Sequence, residues 1–177
     1  MKDLFKSYMF GPYKVRKATE KDIEDIIELL QDVARWLESK GIMQWEYLLT
    51  GEENEEIKKD IVAGRTYLVE YAGEIAATFN FSSLQNDWDI ELWGKRNDLA
   101  YYIHRLAVKR EFQRQQLGKK ILNWIDANIQ LKGGYVRLDC IANNPVLNKF
   151  YQEAGFTFVR HVGEGEDKFS TYEKSYS

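Results

Sequence analysis

From Tyr13 onward the apolar positions of this chain fall into a succession of short and long periods. Tyr13-Lys-Val-Arg-Lys17 alternates and predicts a short strand. Thr19 offers a side-chain oxygen as N-cap, with Asp22 three residues on as its capping-box partner. Ile23, Ile26, Ile27, Leu30, Val33, Ala34 and Leu37 follow at helical spacing, which predicts a long amphipathic helix to about Lys40, stopped by Gly41. Thr50 with Glu53 repeats the cap signature ahead of a second, acidic helix that runs through Ala63 and stops at Gly64. Residues 65–71 and 74–81 read as strands flanking Ala72-Gly73, the strongest hairpin signal in the chain. Residues 82–98 are a polar loop carrying Trp88 and Trp93, and a loop of that length usually covers a site or is disordered.

The second half predicts a strand over 99–108 and a helix over 117–131, with Leu117, Ile121, Ile125 and Ile129 four apart. Gly133-Gly134 ends that helix before a strand over 135–141. A short helix over about 146–154 stops at Gly155, and residues 156–161 and 169–174 look like a closing strand pair. The order is β-α-α-β-β-β-α-β-α-β-β, an α/β domain (α+β by some schemes) with a mixed sheet. The crossover helix between the fourth and fifth strands implies that those two are parallel. Residues 1–12 have no clear period and read as a loose extension of a single domain over 13–177.

Composition narrows the class. At 177 residues the chain suits one domain, and 25 Lys+Arg against 28 Asp+Glu leave a net charge of −3, no field for gripping nucleic acid. Cys140 is the single cysteine, so an intrachain disulfide and a cysteine-rich zinc cluster are excluded. With His104 and His161 the only histidines, a His-based metal site would have to lean on carboxylates, and no metal is expected. No apolar run approaches the roughly 18 residues of a membrane span. The start lacks the apolar stretch of a secretion signal. A reduced, cytoplasmic protein follows as the expectation, without membrane or nucleic-acid partner.

The informative unit is 106–119, a strand feeding a helix through a polar turn. A helix N-terminus presents unpaired N–H groups and partial positive charge, suited to a pyrophosphate. Lys109, Arg110, Arg114, Lys119 and Lys120 crowd that end, where acidic residues are the usual preference. The residues alone leave open an anion site or a solvated basic turn. Gln113-Arg-Gln-Gln-Leu-Gly118 after Leu106-Ala-Val108 resembles the acyl-coenzyme-A signature of the GNAT superfamily of N-acetyltransferases, Gln/Arg-x-x-Gly-x-Gly/Ala. Asn144, Tyr151 and Gly155-Phe156 are similar to the family's closing Asn-(x)6-Tyr-(x)3-Gly-Phe segment. One position departs: Gln116 stands where the family usually has Gly, and a side chain there restricts φ and adds bulk.

The resemblance implies a GNAT-like, mainly antiparallel central sheet of about seven strands with about four helices, splayed between the fourth and fifth strands. It implies acetyl-CoA as acyl donor. Backbone near Leu106 and Val108 would hold the pantetheine, Asn144 would hydrogen-bond it, and Gln113, Arg114, Gln115, Gln116, Leu117, Gly118 and Lys119 would cradle the pyrophosphate. It also implies an N-acetyltransferase working by direct attack of a primary amine in a ternary complex, with Tyr151 as general acid to the thiolate. A phenol stays protonated at neutral pH, as that role requires. A backbone N–H near Val108 would meet the oxyanion.

For amine deprotonation, the period-2 rule puts Tyr102, His104, Leu106 and Val108 on one face of the strand. His104 matches a position where the arylalkylamine branch looks to use histidine in a water-mediated relay. A structural histidine stays open, and Glu70, Glu74, Asp87, Asp89 and Glu91 are unranked alternatives as base. Cys140, mid-strand, reads as packing. Trp36, Trp45, Trp88 and Trp93 lie on segments that wall the acceptor site in the resembling fold, with core packing as their other reading. Aromatic walls with nearby acids suit a cationic small-molecule amine or a peptide N-terminus. A homodimer is allowed for. The rival class is a coenzyme-A-binding sensor or protein-interaction module with little or no transferase activity.

Overall fold

The computed structural model describes residues 3–42 and 45–177; the first two positions of the expected extension lie outside the described residues. In chain order the elements are β1 (Met9–Phe10), β2 (Tyr13–Lys17), α1 (Ile23–Ser39), α2 (Asn54–Val62), β3 (Thr66–Tyr71), β4 (Glu74–Ser82), α3 (Asp87–Trp93), β5 (Ala100–Val108), α4 (Leu117–Asn128), β6 (Tyr135–Ile141), α5 (Pro145–Glu153), β7 (Thr157–Val162) and β8 (Phe169–Ser175). The expected mixed, mainly antiparallel α/β architecture is present, with β1 and α3 added to the strands and helices legible in the sequence. Two compact units divide the chain. One comprises Phe5–Phe81 with Arg105–Asn128; the other comprises Ser82–His104 with Ile129–Ser177 and the start of the chain.

In the first unit β1, β2, β3 and β4 pair successively and antiparallel. The Thr19 cap forms as its spacing predicts: the Thr19 N–H donates to Asp22 Oδ2 at 2.8 Å, and both Arg16 end nitrogens fork onto the Asp22 carboxylate. That guanidinium holds the Asp22 carboxyl at about 2, well below the usual aspartate range. The apolar stripe of α1, with Ile26, Leu30, Val33 and Ala34, packs against Leu48, Ile57, Ile61, Leu68 and Ala107. The second cap falls elsewhere than expected. Thr50 ends a 3-10 turn over Glu46–Thr50, and Glu53 occupies the N-cap of α2. At the β3–β4 hairpin Ala72 and Gly73 both take left-handed φ, +50° and +81°, the sense that matches strand twist.

Phe5 and Ser7, ahead of β1, are anchored to α4. Phe5 is buried, its ring 4.4 Å from that of Trp124, and Trp124 Nε1 donates to the Ser7 carbonyl at 3.0 Å. Aromatic anchoring needs no periodicity, so the hydrophobic pattern gave no sign of it.

In the second unit β5 and β6 are parallel, as the crossover implied, and β6–β8 and β7–β8 are antiparallel. The β5–β6 ladder consists of the pairs Ala100–Tyr135, Tyr101–Val136 and Tyr102–Arg137, and both strands then continue past it. This is the expected splay. Gly134 is required where β6 begins, because a Cβ there would lie 2.7 Å from the Leu99 carbonyl oxygen.

Candidate active site

Residues 82–98 are not a plain loop. Asn86 caps α3: its side chain accepts from the Asp89 N–H at 2.8 Å, while its own N–H donates to Asp89 Oδ2 at 3.1 Å. This reciprocal box satisfies two orphan donors and fixes the Asp89 side chain. Asp89 is 1% exposed, and His104 on β5 places Nε2 2.9 Å and 3.1 Å from its two carboxyl oxygens. One residue earlier, Trp88 donates from Nε1 to Asp139 Oδ2 on β6 at 3.2 Å, and its ring meets Phe169 edge-on at 4.8 Å.

Tyr151 stands on α5. Its ring is buried among Phe150, Phe156 and Tyr172, with centroids at 5.2, 6.2 and 6.1 Å. No hydrogen bond reaches its hydroxyl among the described residues. Burial, with Cys140 and Asp139 nearby, pushes the phenol well above its ordinary range. Burial likewise raises the Asp139 carboxyl to about 6, opposed by His104 and by the Trp88 N–H and reinforced by Asp89. The Cys140 thiol is buried and pushed up to about 12, which leaves it protonated and unsuited to nucleophilic attack.

Of the residues expected in the site, the second unit pairs His104 with Asp89 and Trp88 with Asp139, and it carries Tyr151 on α5. Asn144 caps α5, its side-chain oxygen accepting from the Leu147 N–H at 3.1 Å; its amide NH2 makes no hydrogen bond among the described residues. Trp93 is 3% exposed and packs under the Arg137 guanidinium at 5.1 Å, a core position. Asp139 went unnoticed in the sequence. The available signal was a lone carboxylate inside an apolar strand, which demands a partner.

The first unit holds the basic turn. A 3-10 segment over Arg110–Gln115 ends at Gln116, and Lys120 N–H to Gln116 O at 3.1 Å is an early α-helical bond of α4. The N–H groups of Leu117, Gly118 and Lys119 lie ahead of it, as helix geometry requires. Arg110, Arg114, Lys119 and Lys120 are exposed around them. Gln113 Nε2 donates to the Val108 carbonyl at 3.2 Å, and Gln115 accepts from the Tyr13 hydroxyl at 2.5 Å. Leu106 and Val108 are half-buried, Trp36 and Trp45 likewise. The strict alternation expected along β5 fails at Arg105, whose φ is +50°. This kink separates the register of Tyr102 and His104 from that of Leu106 and Val108, and Ala107 is the residue buried beyond it. Arg105 holds the kink through ion pairs to Asp60 at 3.0 Å and Glu53 at 3.3 Å.

Gln116 adopts φ +55°, ψ +36°, the left-handed conformation that the usual Gly would take without strain. Gln116→Gly is expected to be neutral or to stabilise by up to about 1 kcal/mol, and Gln116→Val to cost about 1–2 kcal/mol. Urea unfolding measures both, and equal losses in the two variants would refute strain at this residue.

A strand that kinks into a basic, N–H-presenting helix start suits an anionic ligand. Comparison with known proteins supplies the class. The model of the acetyltransferase (GNAT) family matches residues 30–156, and the chain belongs to that family. It is similar to the uncharacterized N-acetyltransferase YesJ of Bacillus subtilis (strain 168), 34% identical over 154 residues that make up 86% of each chain. Its fold is similar to that of a GNAT-family acetyltransferase from Listeria monocytogenes 4b F2365, with 32% identity, a TM-score of 0.67, and coverage of 92% of this chain and 94% of that one. It is also similar to the PaiA N-acetyltransferase of Thermoplasma acidophilum in complex with coenzyme A, with a TM-score of 0.66 at 19% identity, covering 94% and 100% of the two chains. The protein is an acetyl-CoA-dependent N-acyltransferase. Among the described residues no helix is long and apolar enough to cross a membrane.

Proposed function

We propose that this enzyme acetylates a primary amine by direct attack on acetyl-CoA, with Tyr151 as general acid and His104, held by Asp89, as the first proton acceptor. The observation that carries the reading is the pairing, within one unit, of a buried phenol that makes no hydrogen bond with an imidazole fixed on a buried carboxylate. The phenol keeps its proton until a stronger pull arrives, and the departing thiolate supplies that pull. The imidazole would take the proton from a protonated amine, directly or through an intervening water. The coenzyme bound by the Thermoplasma protein supports the choice of donor.

The residues present fit that donor. The N–H groups of Leu117, Gly118 and Lys119, with Gln113, Arg114, Gln115 and Gln116 forming the turn, would hold a pyrophosphate. Leu106 and Val108 would offer main-chain groups to the pantetheine, a β5 N–H near Val108 the oxyanion donor, and Asn144 its amide NH2. Acetyl-CoA, when bound, supplies the activated acyl carbon. Trp88, half-buried beside Asp139, is assigned to the acceptor side. Such aromatics with carboxylates suit a cationic small-molecule amine or a peptide N-terminus.

Thiol release from acetyl-CoA across a panel of primary amines and N-terminal peptides, beside calorimetric binding of coenzyme A, tests the reading. Release with at least one acceptor is expected, and binding without release from any would instead favour a coenzyme-sensing module. His104→Gln keeps a hydrogen bond to Asp89 but cannot take up a proton. It is expected to lower kcat about a hundredfold with little change in KM for acetyl-CoA. Unchanged activity from about pH 6 to 9 would remove His104 from the proton path.

A further inference from the structure

We propose that Asp139 binds the charged acceptor: its carboxylate receives the ammonium group of the amine where β5 and β6 part, beside His104. This rests on the transferase reading above and names a specificity-determining residue of that site.

The placement follows from the β5–β6 ladder. Its last pair is Tyr102–Arg137, and both side chains lie on one face of the sheet, since Arg137 Nη1 donates to the Tyr102 hydroxyl at 3.1 Å. By the two-residue alternation of a strand, His104 and Asp139 are the next side chains of β5 and β6 on that face. Each stands two positions past the last pair, so they flank the opening from its two sides. Helix α3 lies across the same face. Its Trp93 packs on the Tyr102 ring, centroids 6.4 Å apart, and under the Arg137 guanidinium at 5.1 Å. One turn earlier Asp89 holds His104 and Trp88 holds Asp139, at 2.9 and 3.2 Å. Consecutive residues of one helix thus fix both side chains of the fork. Leu138 points to the other face, where it pairs with Tyr172, and the Tyr172 ring lies 6.1 Å from that of Tyr151. The acceptor carboxylate and the phenol assigned to the leaving sulfur therefore stand on opposite faces of β6.

Charge selects the ligand. A carboxylate withdrawn from water calls for a cation or several donors. Asp139 is half-buried, its Oδ2 accepts one N–H from the Trp88 indole, and its Oδ1 accepts none among the described residues. Arg137, two residues back on the same face, is committed to Asp98 and Glu173. His104 is held by Asp89. Two carboxylates against at most one imidazolium leave the fork net negative, which suits an ammonium and repels a carboxylate. Burial raises the Asp139 carboxyl to about 6, which leaves it ionised at neutral pH.

Steady-state kinetics with the primary amine that the wild type acetylates fastest test the proposal. Asp139→Asn keeps an oxygen for the Trp88 N–H and removes the charge, so a purely structural role predicts no change. The KM for the amine is instead expected to rise about thirtyfold, the loss of one charge-assisted hydrogen bond. The same variant should keep kcat within about threefold and the KM for acetyl-CoA within about twofold. Asp139→Glu, which restores the charge, should recover part of the lost affinity. An amine KM within about threefold of the wild type, or a loss confined to kcat, would overturn the proposal and leave the transferase reading intact. A wild type that acetylates no amine would overturn both. Should Asp139→Asn fail to fold, Asp139→Ser carries the same expectation and the same refutation.

Discussion

Tyr151→Phe should turn over at least about a hundredfold more slowly than the wild type while binding coenzyme A unchanged and unfolding at the same temperature or higher. The three expectations come from the same geometry. The ring does its packing through Phe150, Phe156 and Tyr172, and phenylalanine repeats that packing atom for atom. The hydroxyl makes no hydrogen bond among the described residues, so its removal breaks none. Stability and chemistry therefore separate cleanly in one substitution. The pH profile adds a second check. Because burial raises the phenol, its acid form persists across the whole assay range, and any loss of rate at high pH must come from another group. Equal turnover of the two proteins would remove Tyr151 from the proton path.

The ease with which Tyr151 could be found contrasts with the rest of the cluster. Tyr151 sits at a fixed spacing from Asn144 and Gly155, and both neighbours have backbone reasons for their identity: Asn144 caps α5 and Gly155 takes φ +96°. The Thr19–Asp22 cap and the Ala72-Gly73 turn were legible on the same grounds, since local hydrogen bonds and dihedrals depend on residues a few positions apart. What escaped was of two kinds. Helix α3 has only seven residues, too few for a 3.6 period to declare itself, although Asn86 and Asp89 carried a capping-box spacing. Asp139 was illegible because its environment is assembled from α3, β5 and α5, whose mutual placement no local pattern encodes. The β5 alternation misled for a related reason. Arg105 is anchored by Glu53 and Asp60, more than 40 residues away in sequence, and those ion pairs hold a left-handed φ that strand propensity alone would reject.

Replacing Arg137 with methionine should cost about 3 kcal/mol of stability, among the largest effects of any single substitution outside the catalytic group. Nothing about Tyr135-Val-Arg-Leu-Asp-Cys-Ile141 marks the arginine as internal, yet its side chain is only 2% exposed. Its five donors explain how that is tolerated. Two nitrogens fork onto Asp98 at 3.0 and 2.6 Å, Nε reaches Glu173 at 3.1 Å, and a further bond goes to the Tyr102 hydroxyl. The guanidinium face lies 4.7 Å from the Tyr135 ring and 5.1 Å from that of Trp93, positions that lysine could not match with a compact ammonium. Methionine fills the volume but strands two carboxylates and a phenol. Both carboxylates are about one-third exposed and can recruit water, which keeps the cost toward the lower end for a broken buried pair. The sign with pH is fixed as well. Arg137 lowers the folded-state titration of Asp98 below the unfolded value, so this contribution is present above the ordinary aspartate range and is lost as pH falls through the depressed one. Urea midpoints for the wild type and Arg137→Met should therefore converge as the pH is taken down through that window. A constant gap between them, or no gap at neutral pH, would show that the guanidinium network does not hold β5, β6 and β8 together.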